Sequence, residues 1–456
     1  MNLSLSDLSA CFEGVIPSII ATASADGMPN ISYLSHVVRV DDDHVALSNQ
    51  FFAKTAANVR ANPKVTLILI DGFTGDQFLL DIAFVRSVDA GPLFDKIARQ
   101  LKASSAQVGM SEIMRLKSAD IFRVHGIEKV PSPVDAAPAA GGRPPISLPA
   151  LASAVKAIER QAEADEIIDN LLCGVEGVLG YGNALVLIQD NHRGCLVTTG
   201  SIGYPRSGLG SEVAGSEGMI GAAATSGQTI KVSDMSRVRR FGEAIGLEAD
   251  GEEDATRSIP FPQLPTAMSQ IAVPMLAHGI VTGVLFIESE ERLAFREEDE
   301  AALEILAGQA AAALRASERE AAKAEPGQPP ALVRPATAGR EIRVVHHRFD
   351  DSIFIDGTYI VKGVAGTLLR LMLEWHLNEG RSEFTNREMR LAAGARMPEI
   401  KDNLETRLLL LRRRLEEKQA PIRLVRVVRG RVRLEAKGSL VLEAVANDHP
   451  QGSPAV

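Results

Sequence analysis

The sequence predicts a multidomain chain of α/β and α+β modules: a small β-barrel, an α/β domain, then a helical module closed by a β-hairpin. Three observations predict it. The chain has 456 residues, too many for one core, and a soft prior of about 150 residues per domain gives three. Two stretches, 131–149 (PSPVDAAPAAGGRPPISLP) and 325–340 (EPGQPPALVRPATAGR), are rich in Pro, Ala and Gly and poor in large apolar residues, so they read as linkers. The charge sign also changes: the chain is at −9 overall, yet residues 340–437 hold 21 Lys and Arg against 14 Asp and Glu. The expected division is a first module over 1–130, a linker over 131–149, and a second module over 150–318. A linker over 319–340, a third module over 341–440 and a tail over 441–456 follow.

Composition narrows the functions. Apolar content of 45% is ordinary for globular protein. Aromatic content of 4% argues against a stacking platform for single-stranded nucleic acid. Cys11, Cys173 and Cys195 are far apart and odd in number, which fits neither a disulfide framework nor a zinc site and suits a reducing cytoplasm. No basic n-region precedes an apolar stretch, so no signal peptide is expected. No apolar run approaches the roughly 20 residues that span a bilayer. The expectation is a cytoplasmic protein without membrane association.

In the first module, an Asp26-Gly27 turn between apolar runs signals a hairpin, with a second strand over 31–40. Strands are expected over 45–48, 65–71 and 78–88, and helices over 54–62 and 92–103. Several strands with few helices suggest a small barrel. The second module opens with helical spacing of Leu151, Ala154, Val155, Ile158, Ile167, Ile168 and Leu171. Strands follow over 184–189, 195–199, 229–232, 270–274 and 281–288, then a helix over 302–314. The two terminal helices carry more apolar surface than a lone α/β domain needs, which points to a homodimer. Cys173 and Cys195 read as small buried hydrophobes, and His36, His44 and His192 as ordinary strand or turn residues.

The third module begins β-rich over 343–361, with a helix over 367–377. Thr385-Asn386-Arg387-Glu388 is a capping box for a short helix, and Gly394 is its natural stop. The next helix puts Leu404, Leu408, Leu411 and Leu415 on one stripe and Thr406, Leu410, Arg413 and Arg414 opposite. Such a helix, seated by leucines and presenting arginines outward, suits a major groove. In the closing hairpin, Arg429, Arg431 and Arg433 share one face.

This order, with Leu411-Arg412-Arg413-Arg414-Leu415, resembles the winged-helix effector domain of OmpR-type response regulators over roughly 342–434. The closing Arg429-Gly430-Arg431 runs into Val432-Arg433 without the family's Gly-Tyr pair. The resemblance implies binding of double-stranded DNA by a winged helix-turn-helix, with contacts from Thr406, Arg407, Arg413, Arg414, Arg429 and Arg431.

The stretch 177–314 resembles a GAF domain. It carries Gly218-Met219-Ile220-Gly221-Ala222-Ala223, Gly227-Gln228-Thr229-Ile230-Lys231-Val232-Ser233-Asp234 and Gly283-Val284-Leu285-Phe286-Ile287. A small-molecule ligand is implied, without its identity. Residues 8–126 resemble the flavin-binding split barrel of pyridoxamine-phosphate-oxidase-like families. The carriers are Ala21-Thr22-Ala23 before Asp26-Gly27-Met28-Pro29, and Lys54-Thr55-Ala56-Ala57-Asn58 before Arg60-Ala61-Asn62-Pro63. The implied cofactor is FMN, held by Ser32, Ser48, Asn49, Lys54 and Thr55; a Lys and a hydroxyl at a helix N-terminus suit a phosphate. Ser32 and Val37 stand where the oxidases carry Arg and Lys.

Two functions follow. One is a one-component transcription regulator that senses a small molecule or redox state upstream of its winged helix. The other is a flavin-dependent oxidoreductase with accessory domains.

Overall fold

The computed structural model describes residues 3–34, 36–49, 53–106, 115–130, 144–191, 193–215, 218–236, 258–323, 340–394 and 404–445. His192 and most of both linkers lie outside them.

After a 3-10 helix over Leu5–Glu13, the first module pairs β1 (Ser18–Ala23) with β2 (Pro29–Leu34) across the Asp26-Gly27 turn, where Gly27 adopts φ +84°. The strand expected over 31–40 is two strands. β3 (Val37–Arg39) leaves β2 and pairs with β4 (His44–Asn49). α1 (Ala53–Ala61), β5 (Lys64–Ile70), β6 (Gln77–Val88), α2 (Pro92–Ala106) and β7 (Ser118–Val130) complete a seven-stranded split-barrel sheet, ordered β2-β1-β5-β6-β7-β4-β3. Alternation buries Val65, Leu67 and Leu69 on β5 beneath Leu5 and Leu8.

The second module begins with two helices where one was expected. α3 (Leu148–Glu159) starts at Ser147, whose hydroxyl accepts from the Ala150 N–H, and α4 (Ala164–Leu179) ends at Gly180 with φ 74°. The antiparallel sheet runs β10-β9-β8-β13-β12-β11: β8 (Asn183–Asp190), β9 (Cys195–Ile202), β10 (Glu212–Ala214), β11 (Ile230–Val232), β12 (Ser269–Ala277) and β13 (Ile280–Ser289). α5 (Gly218–Ser226) covers one face. α3, α4 and α6 (Glu297–Lys323) cover the other.

Of the apolar residues expected to be spare, Ile167, Ile168, Leu171, Leu303 and Leu306 are all 0% exposed inside one cluster, while Ile305 on α6 stays 51% exposed. Cys195 is buried, but Cys173 is exposed on α4 and is not a core residue.

The third module starts with β14 (Glu341–His347), β15 (Ser352–Ile355) and β16 (Thr358–Val361). α7 (Gly363–Glu379), β17 (Glu383–Thr385), α8 (Asn386–Gly394), α9 (Leu404–Glu417), β18 (Ile422–Val428) and β19 (Arg431–Ala436) follow. The capping box forms: the Glu388 carboxylate accepts from the Thr385 N–H at 2.9 Å, and the Glu388 N–H donates to the Thr385 hydroxyl at 3.2 Å. The Leu404, Leu408, Leu411 and Leu415 stripe packs into the module's core as its spacing requires. The expected tail contains a strand, β20 (Ser439–Val445), which runs parallel to β14 and packs Leu440 and Leu442 on that core.

Candidate functional site

Helix α9 brings the predicted arginines together, but not into solvent. Its leucine stripe faces its own module, and its opposite side lies against the second module. Leu409 enters the core under α3, α4 and α6, and Leu410 packs on Cys195 and Val197 of β9. Arg413 donates to the Thr199 carbonyl at 2.9 Å and pairs with Asp169 at 2.6 Å. Arg412 pairs with Asp165. Arg407 donates to the Gln189 carbonyl at 3.1 Å and lies 3.4 Å from Asp190, with both side chains buried. Burial pushes the Arg407 guanidinium below its ordinary range, and the Asp190 charge opposes that shift.

The expectation of outward-facing arginines is therefore corrected. Thr406 is 2% exposed and Arg407 6%. Arg414, at 1%, turns back into its own module, donating to the Ile360 carbonyl at 2.9 Å and pairing with Glu417 at 2.7 Å. The hairpin is similarly occupied. Arg429 pairs with Glu320 of α6, while Arg431 and Arg433 converge on Glu383 at 3.6 and 2.7 Å. Further ion pairs join the modules: Arg426 with Glu163, Arg390 with Glu318 at 2.8 Å, and Lys362 with Glu212 at 3.1 Å. The acidic partners in the second module were missed because nothing local marks them; they lie roughly 70 to 260 residues away in sequence.

Glu318 is a strongly perturbed carboxyl in this interface. Burial pushes its carboxyl up to about 7, and the charge of Glu405 adds to the rise while Arg390 resists it. Burial also raises Glu405, against a hydrogen bond from Asn386.

In the first module, Ser32 on β2 and Thr55 on α1 meet at 2.8 Å. Asn30 donates to Thr55 at 3.1 Å, and Asn58 to Thr22 at 3.1 Å. Sequence reasoning missed Thr22, Asn30 and Asn58. The period-two spacing of 30 and 32, and the pairing of 22 with 30 across the hairpin, was the available signal. Ser48 and Asn49 do not join this cluster. They sit on β4, separated from β2 by four strands in the sheet order, where Ser48 accepts from the His36 N–H and Asn49 donates to Asp120.

The hydroxyls and amides of this cluster bond one another, and the cation at the helix N-terminus, Lys54, is exposed. His36 is pushed down to about 4 by burial, and His44, at the start of β4, sits 2.9 Å from Asp41.

The second module has a buried polar point on its α5 side. Glu288, 3% exposed, accepts from the Tyr204 hydroxyl and the Leu264 N–H at 2.9 Å and from Gln270 at 2.8 Å. Burial raises both Glu288 and Tyr204 above their ordinary ranges. A cleft of about 280 Å³ opens between the first two modules, where Arg39, Arg99 and Lys231 face Glu13 and Glu300. Among the described residues no cluster could hold a metal ion, and no helix is long and apolar enough to cross a membrane.

Comparison with known proteins agrees with the first two modules. Residues 7–127 match the family described as pyridoxamine 5'-phosphate oxidase, and residues 163–314 match the GAF domain. No curated protein matches the chain. Among solved structures, an FMN-binding protein from Syntrophomonas wolfei is 18% identical, covering 28% of this chain and 86% of its own, with a TM-score of 0.24. The GAF domain of an Acinetobacter phosphoenolpyruvate-protein phosphotransferase is 19% identical, covering 40% and 97%, with a TM-score of 0.31. The free methionine-R-sulfoxide reductase of Neisseria meningitidis, solved with its substrate, is 20% identical, covering 38% and 89%, with a TM-score of 0.29. The chain thus carries an oxidase-like N-terminal domain followed by a GAF domain.

Proposed function

We propose that the chain is a one-component transcription regulator whose third module is a winged helix that binds double-stranded DNA. The observation that carries this reading is α9. A leucine stripe seats it on α7 and β18, arginines line its other side, and a basic hairpin follows immediately. That is the arrangement a helix needs to enter a major groove while a wing grips the backbone. The GAF domain is the sensor in this reading, with the face around Glu288 as its ligand side. In this reading the protein is cytoplasmic, and a homodimer would match a two-part operator. Such a dimer must use a surface other than Leu171, which is fully buried.

The test is selection of genomic DNA fragments by the purified full chain. Recovery of a shared sequence supports the regulator. Recovery of no sequence above background, at low salt and with the protein folded, rejects it.

The match of residues 7–127 to the oxidase family favours a second reading, a flavin-dependent oxidoreductase. The self-satisfied Ser32–Thr55 cluster weighs against it. Protein that retains flavin after incubation with FMN and gel filtration, and then consumes a reductant, would favour the oxidoreductase.

A further inference from the structure

Resting on the DNA-binding reading above, we propose that the acidic face of the GAF domain competes with DNA for the arginines of α9 and so holds the third module shut. The side of α9 that would enter a groove is the side that carries Leu409, Leu410 and Arg413, and α4 and β9 already occupy it. A duplex cannot reach that side while it is covered.

The chemistry of the cover matches that of the competitor. Asp165, Asp169 and Glu163 give Arg412, Arg413 and Arg426 the anionic oxygens that phosphates would give them. The carboxylates therefore stand in for a DNA backbone.

The contact combines the ion pairs above with two apolar anchors, Leu409 and Leu410, and charged interfaces between domains gain little net stability from burial. Arg390 Nε, Arg426 Nη2 and Arg429 Nε are buried at this interface without a hydrogen-bond acceptor among the described residues, and each adds a desolvation cost to the closed form. A GAF ligand that bound the open form better would shift the balance towards DNA binding.

The test removes three carboxylates in the full chain: Glu163→Gln with Asp165→Asn and Asp169→Asn. A charge-matched control carries Glu159→Gln, Glu291→Gln and Glu298→Gln, all exposed and outside these ion pairs. Hydrogen exchange over 404–417 reports opening, and titration of a labelled random-sequence duplex at low salt reports binding. The expected result is faster exchange and about tenfold or more tighter binding than either wild type or control, since apparent affinity scales with the open fraction. Adding Arg413→Ala should remove the gain.

Unchanged exchange overturns the proposal, because these carboxylates would not be holding the helix. Faster exchange without tighter binding, when wild type binds through Arg413, overturns the competition and leaves the regulator reading standing. Faster exchange with no duplex bound by any variant rejects the DNA reading, and the proposal falls with it.

Discussion

Arg413 and Arg414 are neighbours in sequence with opposite tasks. Arg413 reaches across to Asp169 and the Thr199 carbonyl, while Arg414 is enclosed beside the Ile360 carbonyl. Arg414→Ala strands a buried acceptor, so the third module should lose about 1–3 kcal/mol in urea denaturation. Arg413→Ala also removes the donor to the Thr199 carbonyl, but its ion pair is with the exposed Asp169, where water replaces the lost bond, so its cost should be the smaller of the two. Equal losses would mean that both side chains serve the fold alike. Helical spacing alone could not separate the two, because the carbonyl that fixes Arg414 lies 54 residues upstream.

A pH effect also belongs at this scale. Glu318 is pushed up to about 7, above its ordinary 4.5, so the folded, closed form binds the proton more tightly than an open, solvated one. The stabilisation this gives is fully present below about 4.5 and is lost as pH rises through about 7. The groups facing Glu318 and Glu405 are Arg390, Arg426, Arg429, Asn386 and Asp165. Exchange over 404–417, corrected for intrinsic rate, should be faster at pH 8 than at pH 6, and Glu318→Gln should flatten the difference. An unchanged pH profile in that variant would assign the effect to another group.

At the scale of elements, patterning was legible wherever one face met a core of its own module. The Asp26-Gly27 hairpin, the Thr385 capping box and the α9 leucine stripe follow from period and turn chemistry. Strands without a strong alternation were missed, as β20 shows. The break between α3 and α4 was missed too: a continuous apolar period hid the interruption at Ala162, whose carbonyl accepts from Ser317 of α6 at 2.6 Å. Leu171 follows from the same packing. Leu171→Ala should cost about 2–5 kcal/mol of stability and leave the mass measured by light scattering unchanged. A change of oligomeric state without loss of stability would return that residue to an interface. On α7, Gly366→Ala should destabilise despite alanine's higher helix propensity, because a Cβ there runs into the Asp351 carbonyl. Thermal unfolding at or above the wild-type midpoint would show that the turn before β15 moves away freely.

At the scale of the molecule, an acidic chain at −9 with a basic final module can fold its charge onto itself. The sequence showed both signs but not their meeting. Charge balance does not encode which surfaces face each other, and the ion pairs from Arg412 to Asp165 and from Arg413 to Asp169 span more than 240 residues. The Ser32–Thr55 cluster was half legible for a related reason: Ser32 and Thr55 were found by motif, while Thr22 and Asn30 come from strand pairing.

The central claim is that α9 engages either the GAF domain or DNA. The direct measurement is duplex binding by a full chain linked across the contact. Asp165→Cys and Arg412→Cys, in a Cys173→Ser background that removes the exposed thiol, are joined by a short disulfide-forming linker. The account predicts that the linked protein fails to bind the duplex and that reductant restores binding to the level of the unlinked protein. Equal binding before and after reduction would contradict it.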